Sequence, residues 1–389
     1  MAYNFDKIVE RKNTNSLKYD FAVQRGRAED ILPLWVADMD FQTATGIIDS
    51  LHDCISHGIY GYSDVKENYF EAIYDWYMEF FQWETKDFWL VKTPGVVFAI
   101  AAAIRSLTNY GDSILIQSPV YYPFRAVIES NGRKVVANSL VLKNEHYEID
   151  FEDFEKKIKE ERVKLFLLCS PHNPVGRVWK REELIKMGEI CLKYQVKIVS
   201  DEIHCDFTYP KYQHYVFASL NEEFSRNTIT CTSPSKTFNL AGLQVSNIFI
   251  ADTAMREQFK QAVERTGYSQ LSLPGLIACQ AAYETGRVWL TQLKQYLQMN
   301  LEYVREFLKN ELPKVRLIEP EGTYLIWIDF RGLKLSEEEL ERLIVEKAKL
   351  WLDAGTMFGI EGLGFQRINI ACSKKTLERA MMNLKNALQ

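Results

Sequence analysis

Short runs of apolar, β-branched residues recur through the middle of the chain, each closed by polar or turn-forming residues. Ser113–Gln117, Val163–Cys169, Val196–Ser200, Thr228–Cys231 and Val245–Ile250 are apolar at most positions rather than at alternate ones, as in strands buried on both faces. Between several of them the apolar positions fall at helical spacing: Val97–Leu107, Phe124–Ser130 and Glu182–Tyr194. This alternation predicts a large α/β domain, a mostly parallel sheet covered by helices. Further on, a helical stretch from about Gly286 to Leu312 precedes strand-like Gly322–Asp329, helical Ser336–Leu350, strand-like Gln366–Ile370 and a closing helix from Ser373. That order predicts a smaller α+β domain over 286–389, a large domain over 46–285, and an N-terminal segment, 1–45, packing with the small domain.

The 389 residues, 47% of them hydrophobic, suffice for a large core. A formal net charge of -5 with no Lys/Arg block gives no field for a polyanion, so nucleic acid is not an expected partner. The longest apolar run, Val96–Ile104, falls short of the roughly 20 residues that span a bilayer. The first residues lack the basic-then-apolar stretch of a secretion signal, which predicts a cytoplasmic protein. Seven scattered cysteines with no C-x-x-C pair read as reduced core residues.

In open α/β sheets, ligands bind beyond the carboxyl ends of the strands. After the predicted strands come Ser118-Pro119-Val120-Tyr121-Tyr122-Pro123, Ser170-Pro171-His172-Asn173-Pro174, Asp201-Glu202-Ile203-His204 and Thr232-Ser233-Pro234-Ser235-Lys236. Pro94-Gly95-Val96-Val97 opens a helix, where backbone N–H groups can meet an anion or simply form a turn. The cluster Asp201–Asp206 cannot converge on a metal, because successive strand residues alternate faces. Ser233-Pro234-Ser235-Lys236 also spells S-x-x-K, yet the S-D-N that an acyl-transferring serine enzyme requires is absent.

Taken together, these residues resemble the fold-type I pyridoxal-phosphate enzymes of the aspartate aminotransferase superfamily, and the resemblance covers nearly the whole chain. Ser233–Leu243 is similar to the family's lysine motif. The resemblance implies that Lys236 holds pyridoxal 5'-phosphate as a Schiff base and shuttles a proton, and that Asp201 pairs with the pyridinium nitrogen. It also implies that Asn173 bonds the ring oxygen, that Tyr121 stacks on the ring, and that His204 lies beside it. Ser233, Ser235 and the backbone of Gly95, Val96 and Val97 would hold the phosphate. Arg367 would clamp the substrate carboxylate, with Asn173 nearby. Leu32–Phe41, containing Trp35 and Ala37, resembles the segment that covers the substrate. Tyr62 would reach across to the neighbouring subunit's phosphate, so a homodimer is implied.

Two departures narrow the expected reaction. Most aminotransferases of this superfamily carry tyrosine where this chain has His204, and arginine where it has Gln244. Ser200–Asp206 and Trp35–Phe41 are instead similar to the MalY/PatB-type cystathionine beta-lyase (C-S lyase) branch. That resemblance implies β-elimination from L-cystathionine or L-cysteine-type substrates to thiol, pyruvate and ammonia, with Tyr121 or Tyr122 assisting proton transfer at the leaving group. An aminotransferase, or a regulatory protein keeping this fold, is the alternative.

Overall fold

The computed structural model describes residues 2–389, so Met1 lies outside the described residues. Seven strands form the main sheet, in the order Leu90–Thr93, Ser246–Ile250, Thr228–Thr232, Lys197–Asp201, Leu165–Cys169, Ser113–Ser118 and Lys134–Ser139. The last five run parallel, and Ser246–Ile250 is antiparallel to both neighbours. All five predicted strands are present, shifted by at most two residues at either end. The two edge strands were not anticipated. Lys134–Ser139 alternates between buried and more exposed positions, and most of Leu90–Thr93 is half-buried, so neither reads as a continuous apolar run.

Side-chain alternation sorts the strand residues onto two faces. Ile114, Ile116, Leu165, Leu167 and Val199 pack under the helices Val96–Leu107 and Thr253–Glu264. Leu115, Phe166, Leu168 and Ile198 pack under Phe151–Glu160 and Arg181–Lys193.

Beyond the helix Arg287–Glu311, a four-stranded antiparallel sheet runs Arg316–Ile318, Leu325–Asp329, Phe365–Asn369, Asp353–Ala354. The expected helix Ser336–Leu350 is shorter than the spacing suggests. Its α-helical part is Glu337–Arg342, capped reciprocally by Ser336 and Glu339, and it continues as a π turn over Leu343–Lys347. Lys349 at φ 54 then turns the chain into Leu350–Trp351, which pairs in parallel with Leu32–Pro33. Phe5, Leu34 and Phe41 share one core with Leu325, Leu350 and Ile368, so the N-terminal segment packs against the C-terminal sheet. All seven cysteines are free, and all but Cys54 are buried. Among the described residues, no helix is long and apolar enough to cross a membrane.

Candidate active site

Three of the main-sheet strands deliver Cys169, Asp201 and the Ser233–Lys236 turn to one side of a cavity of about 220 Å³. The turn is built locally. Ser233 caps the short helix Pro234–Thr237 by accepting from Ser235 N at 3.1 Å, and its own hydroxyl donates to Val245 O at 2.7 Å. Lys236 is thereby aimed across the cavity, where Nζ donates to Ala37 O at 2.8 Å. Burial lowers the Lys236 pKa to about 8; the Arg367 charge adds to this, while Asp38 and Asp201 oppose it. The neutral amine that a nucleophile or base requires is therefore about a tenth of the total at pH 7, far more than for an ordinary lysine.

Asp201 ends the strand Lys197–Asp201 and is buried. Burial pushes its pKa up to about 7, against the Ile203 N–H that donates to Oδ1 at 3.2 Å and the charge of Lys236. His204 shows the opposite response: burial, Lys236 and Arg367 bring it down to about 3, which leaves it a neutral imidazole, and among the described residues Nδ1 has no hydrogen-bond partner. Opposite these groups, Gly95 sits at φ 136 and opens the helix Val96–Leu107 at the cavity wall. That backbone angle favours glycine, and nothing lies within 4 Å of where a Cβ would stand.

Arg367, 2% exposed, lies on the strand Phe365–Asn369. It is ion-paired with buried Asp353 and donates to Asn173 Oδ1 and Trp35 O, each at 2.9 Å. Among the described residues its buried Nε has no partner. Asn173 O in turn accepts from Tyr121 N at 2.9 Å, so Asn173 links the arginine to the tyrosine. Tyr121 lines the cavity, with Tyr122 outside the lining at 5.6 Å between ring centroids. Burial raises both phenol pKa values, so at neutral pH they can donate protons.

Of the other anticipated residues, Val96, Val97, Asn173 and Ser235 line the cavity with Ala37. Ala37 offers its carbonyl rather than its side chain. The Trp35 ring instead stacks on Trp351 at 4.6 Å, leaving only its carbonyl facing Arg367. Ser233 does not line the cavity and spends its hydroxyl on Val245 O. Tyr62, 97% exposed on the loop between helices Thr45–Ser56 and Glu67–Phe81, does not line its own chain's cavity. Among the described residues, no group of His, Cys, Asp or Glu is placed to hold a metal ion.

Residues 31–384 match the family described as aminotransferase class I and II. The chain belongs to that family. It is 42% identical to cystathionine beta-lyase PatB of Bacillus subtilis (strain 168), over 99% of this chain and 100% of that one. It is 32% identical to protein MalY of Escherichia coli (strain K12), over 100% of this chain and 99% of the other. The crystal structure of cystalysin from Treponema denticola, which contains a pyridoxal 5'-phosphate cofactor, matches with a TM-score of 0.96 at 38% identity, covering 100% of this chain and 99% of that one.

Within this family member, three residues near the centre escaped the sequence reading. The buried Tyr324 hydroxyl donates to Ala37 O at 3.2 Å, the same carbonyl that receives Lys236. Asp38, inside the segment Leu32–Phe41, acts on the charge of Lys236. Asp353 partners Arg367 from a two-residue strand, too short to leave a periodic signal.

Proposed function

We propose that this chain is a pyridoxal-phosphate-dependent carbon-sulfur β-lyase acting on L-cystathionine or cysteine-type amino acids. The observation that carries the reading is the Lys236 amine, its pKa brought down to about 8, sharing one cavity with Asp201. When bound, the protonated pyridine ring of such a cofactor is an electron sink for charge developing on the substrate's α-carbon. The residues fit that group. Asp201 is a buried carboxylate that, among the described residues, accepts from a backbone N–H alone, so it can accept from a pyridinium nitrogen. Ser235 and the helix start at Gly95–Val97 offer donors to a phosphate from the cavity wall.

Lys236 Nζ would hold the cofactor and, once displaced by the substrate's amine, would be free to move the substrate's α-proton. Arg367, a planar donor held beside the cavity by Asp353 and Asn173, receives the substrate carboxylate. Tyr121 and Tyr122, their phenols kept protonated by burial, donate a proton toward the departing sulfur. Two copies pair through the loop that presents Ile59, Tyr60 and Tyr62 to solvent, an apolar group that a partner would cover. That pairing would carry Tyr62 to the partner's phosphate. The chain divides into a large domain, 46–285, and a small one, 286–389, joined by the segment 1–45. The free cysteines suit a reducing compartment, the cytoplasm.

The test is pyruvate release from L-cystathionine by purified protein supplied with pyridoxal 5'-phosphate and no keto acid. Sustained release over many turnovers is expected. No pyruvate, with the cofactor accumulating in its amine form, would make the protein an aminotransferase.

A further inference from the structure

The strands Asp353–Ala354 and Phe365–Asn369 pair with Asp353 opposite Arg367, and the connection between them, 355–364, leaves the four-stranded sheet to reach the end of the strand Ser113–Ser118. Phe358 O accepts from Val120 N at 2.9 Å. Glu361 bridges the last residues of two neighbouring parallel strands, Oε2 accepting from the Ser118 hydroxyl and Oε1 from the Ser139 hydroxyl, each at 2.5 Å. Between these two anchors Gly359, at φ 136, runs so close to the strand end that a Cβ would stand 2.2 Å from Ser118 Oγ, so the approach requires glycine.

These anchors place the buried ring of Phe358. The Arg367 guanidinium lies over that ring at 4.9 Å, and the Tyr122 ring meets it edge-on at 5.8 Å between centroids. One ring therefore packs against both the arginine assigned to the substrate carboxylate and a tyrosine assigned to the departing sulfur, while its main chain is tied two residues before that tyrosine. The hydrogen bonds of Arg367 to Asp353, Asn173 and Trp35 O hold the edges of the guanidinium. A planar cation held only at its edges can still tilt, and an aromatic face against it opposes the tilt.

We propose that Phe358 is a positioning residue for amino-acid binding: anchored through Gly359 and Glu361, its ring fixes the Arg367 guanidinium against the Tyr121–Tyr122 segment. The carboxylate end and the leaving-group end of the substrate are thereby held a set distance apart. This inference rests on the carboxylate role proposed above for Arg367.

The test uses L-alanine, which has no leaving group on its β-carbon, and L-alaninamide, which lacks the carboxylate, each titrated into cofactor-loaded protein and followed by visible absorbance. Phe358→Leu, which keeps apolar bulk but no aromatic face, should weaken L-alanine binding about tenfold, the scale of a desolvated cation–π contact. Binding of L-alaninamide and of the cofactor should stay as in the parent. Glu361→Ala should act in the same direction, and Glu361→Gln, whose amide can accept from one serine hydroxyl and donate to the other, should restore binding. That pair carries the test if Phe358→Leu does not fold. Loop variants that match the parent for L-alanine, or that lose both ligands equally, overturn the proposal. Arg367→Lys separates it from the reading beneath it. If Arg367→Lys binds L-alanine like the parent, the carboxylate role of Arg367 fails and this inference with it; if it binds L-alanine poorly while the loop variants do not, only the role of Phe358 falls.

Discussion

On the sheet side of the Lys236 cavity, Asp201 and the Ser233–Lys236 turn follow strands whose residues are almost all buried. The segment 35–41, whose Ala37 lines the cavity, and Arg367, which lies behind the lining, are held by charges and side-chain-to-backbone bonds. Arg11 pairs with Asp38 at 2.6 Å and Asp40 at 2.8 Å, and fully buried Lys18 pairs with Asp40 at 2.9 Å. Asn239, three residues past Lys236, accepts from Met39 N and donates to Met39 O and Phe41 O, and Asn369 bonds Val36 O and Asp38 O. One side is positioned by apolar packing, which tolerates the loss of a polar group at the surface of the site. The other is positioned by paired buried charges, where removing one member strands its partner.

The largest expected effect tests the sheet side. Lys236→Ala should cut β-elimination about 10³-fold or more, the scale of losing a positioned base, without lowering stability. The stability part follows from the sign of the pKa shift. In the cofactor-free protein the folded pKa, about 8, lies below the ordinary 10.5, so the unfolded chain holds the proton more tightly. Protonated Lys236 therefore opposes folding below about pH 8, and stability gains from its deprotonation as pH rises from about 8 to 10.5. Urea melts of the variant and parent at pH 7 check this; a marked loss would mean the lysine supports the fold.

Asp353→Asn should do the reverse. Leaving Arg367 buried and unpaired costs about 3–5 kcal/mol of stability, and KM for the amino acid should rise more than kcat falls. If Asp353→Asn melts like the parent, the charge-held side of the comparison is wrong.

A smaller effect concerns loading with cofactor. Because the neutral amine of Lys236 is the reactive form, the rate at which cofactor-free protein takes up pyridoxal 5'-phosphate should rise about tenfold from pH 6 to pH 7 and level off above pH 8. A flat profile, followed by visible absorbance, would contradict the lowered pKa. The smallest effect is assigned to Ser233→Ala, which should cost about 1 kcal/mol through loss of a helix cap and leave cofactor affinity nearly unchanged, since that hydroxyl serves Val245 O. A large drop in affinity would return Ser233 to the phosphate.

The same contrast explains what the sequence disclosed. Apolar runs such as Leu165–Cys169 announce buried parallel strands, and the residues just after them, Asn173, Asp201 and Lys236, fall around one cavity because the strands end together. The edge strands Leu90–Thr93 and Lys134–Ser139 escaped because half-covered positions carry no continuous run. The charge-held side was visible only through resemblance: Arg367 and Trp35 were found that way, but Asp353, Tyr324 and the stacking of the Trp35 ring on Trp351 depend on long-range pairing that no local spacing encodes. Tyr62 faces solvent, and its expected role needs a second chain.

The most direct test of the central claim is borohydride reduction of the protein loaded with pyridoxal 5'-phosphate, followed by peptide mapping. The account predicts a pyridoxyl group on the peptide carrying Lys236 and its loss in Lys236→Ala. A group fixed to another lysine, or none at all, would contradict it.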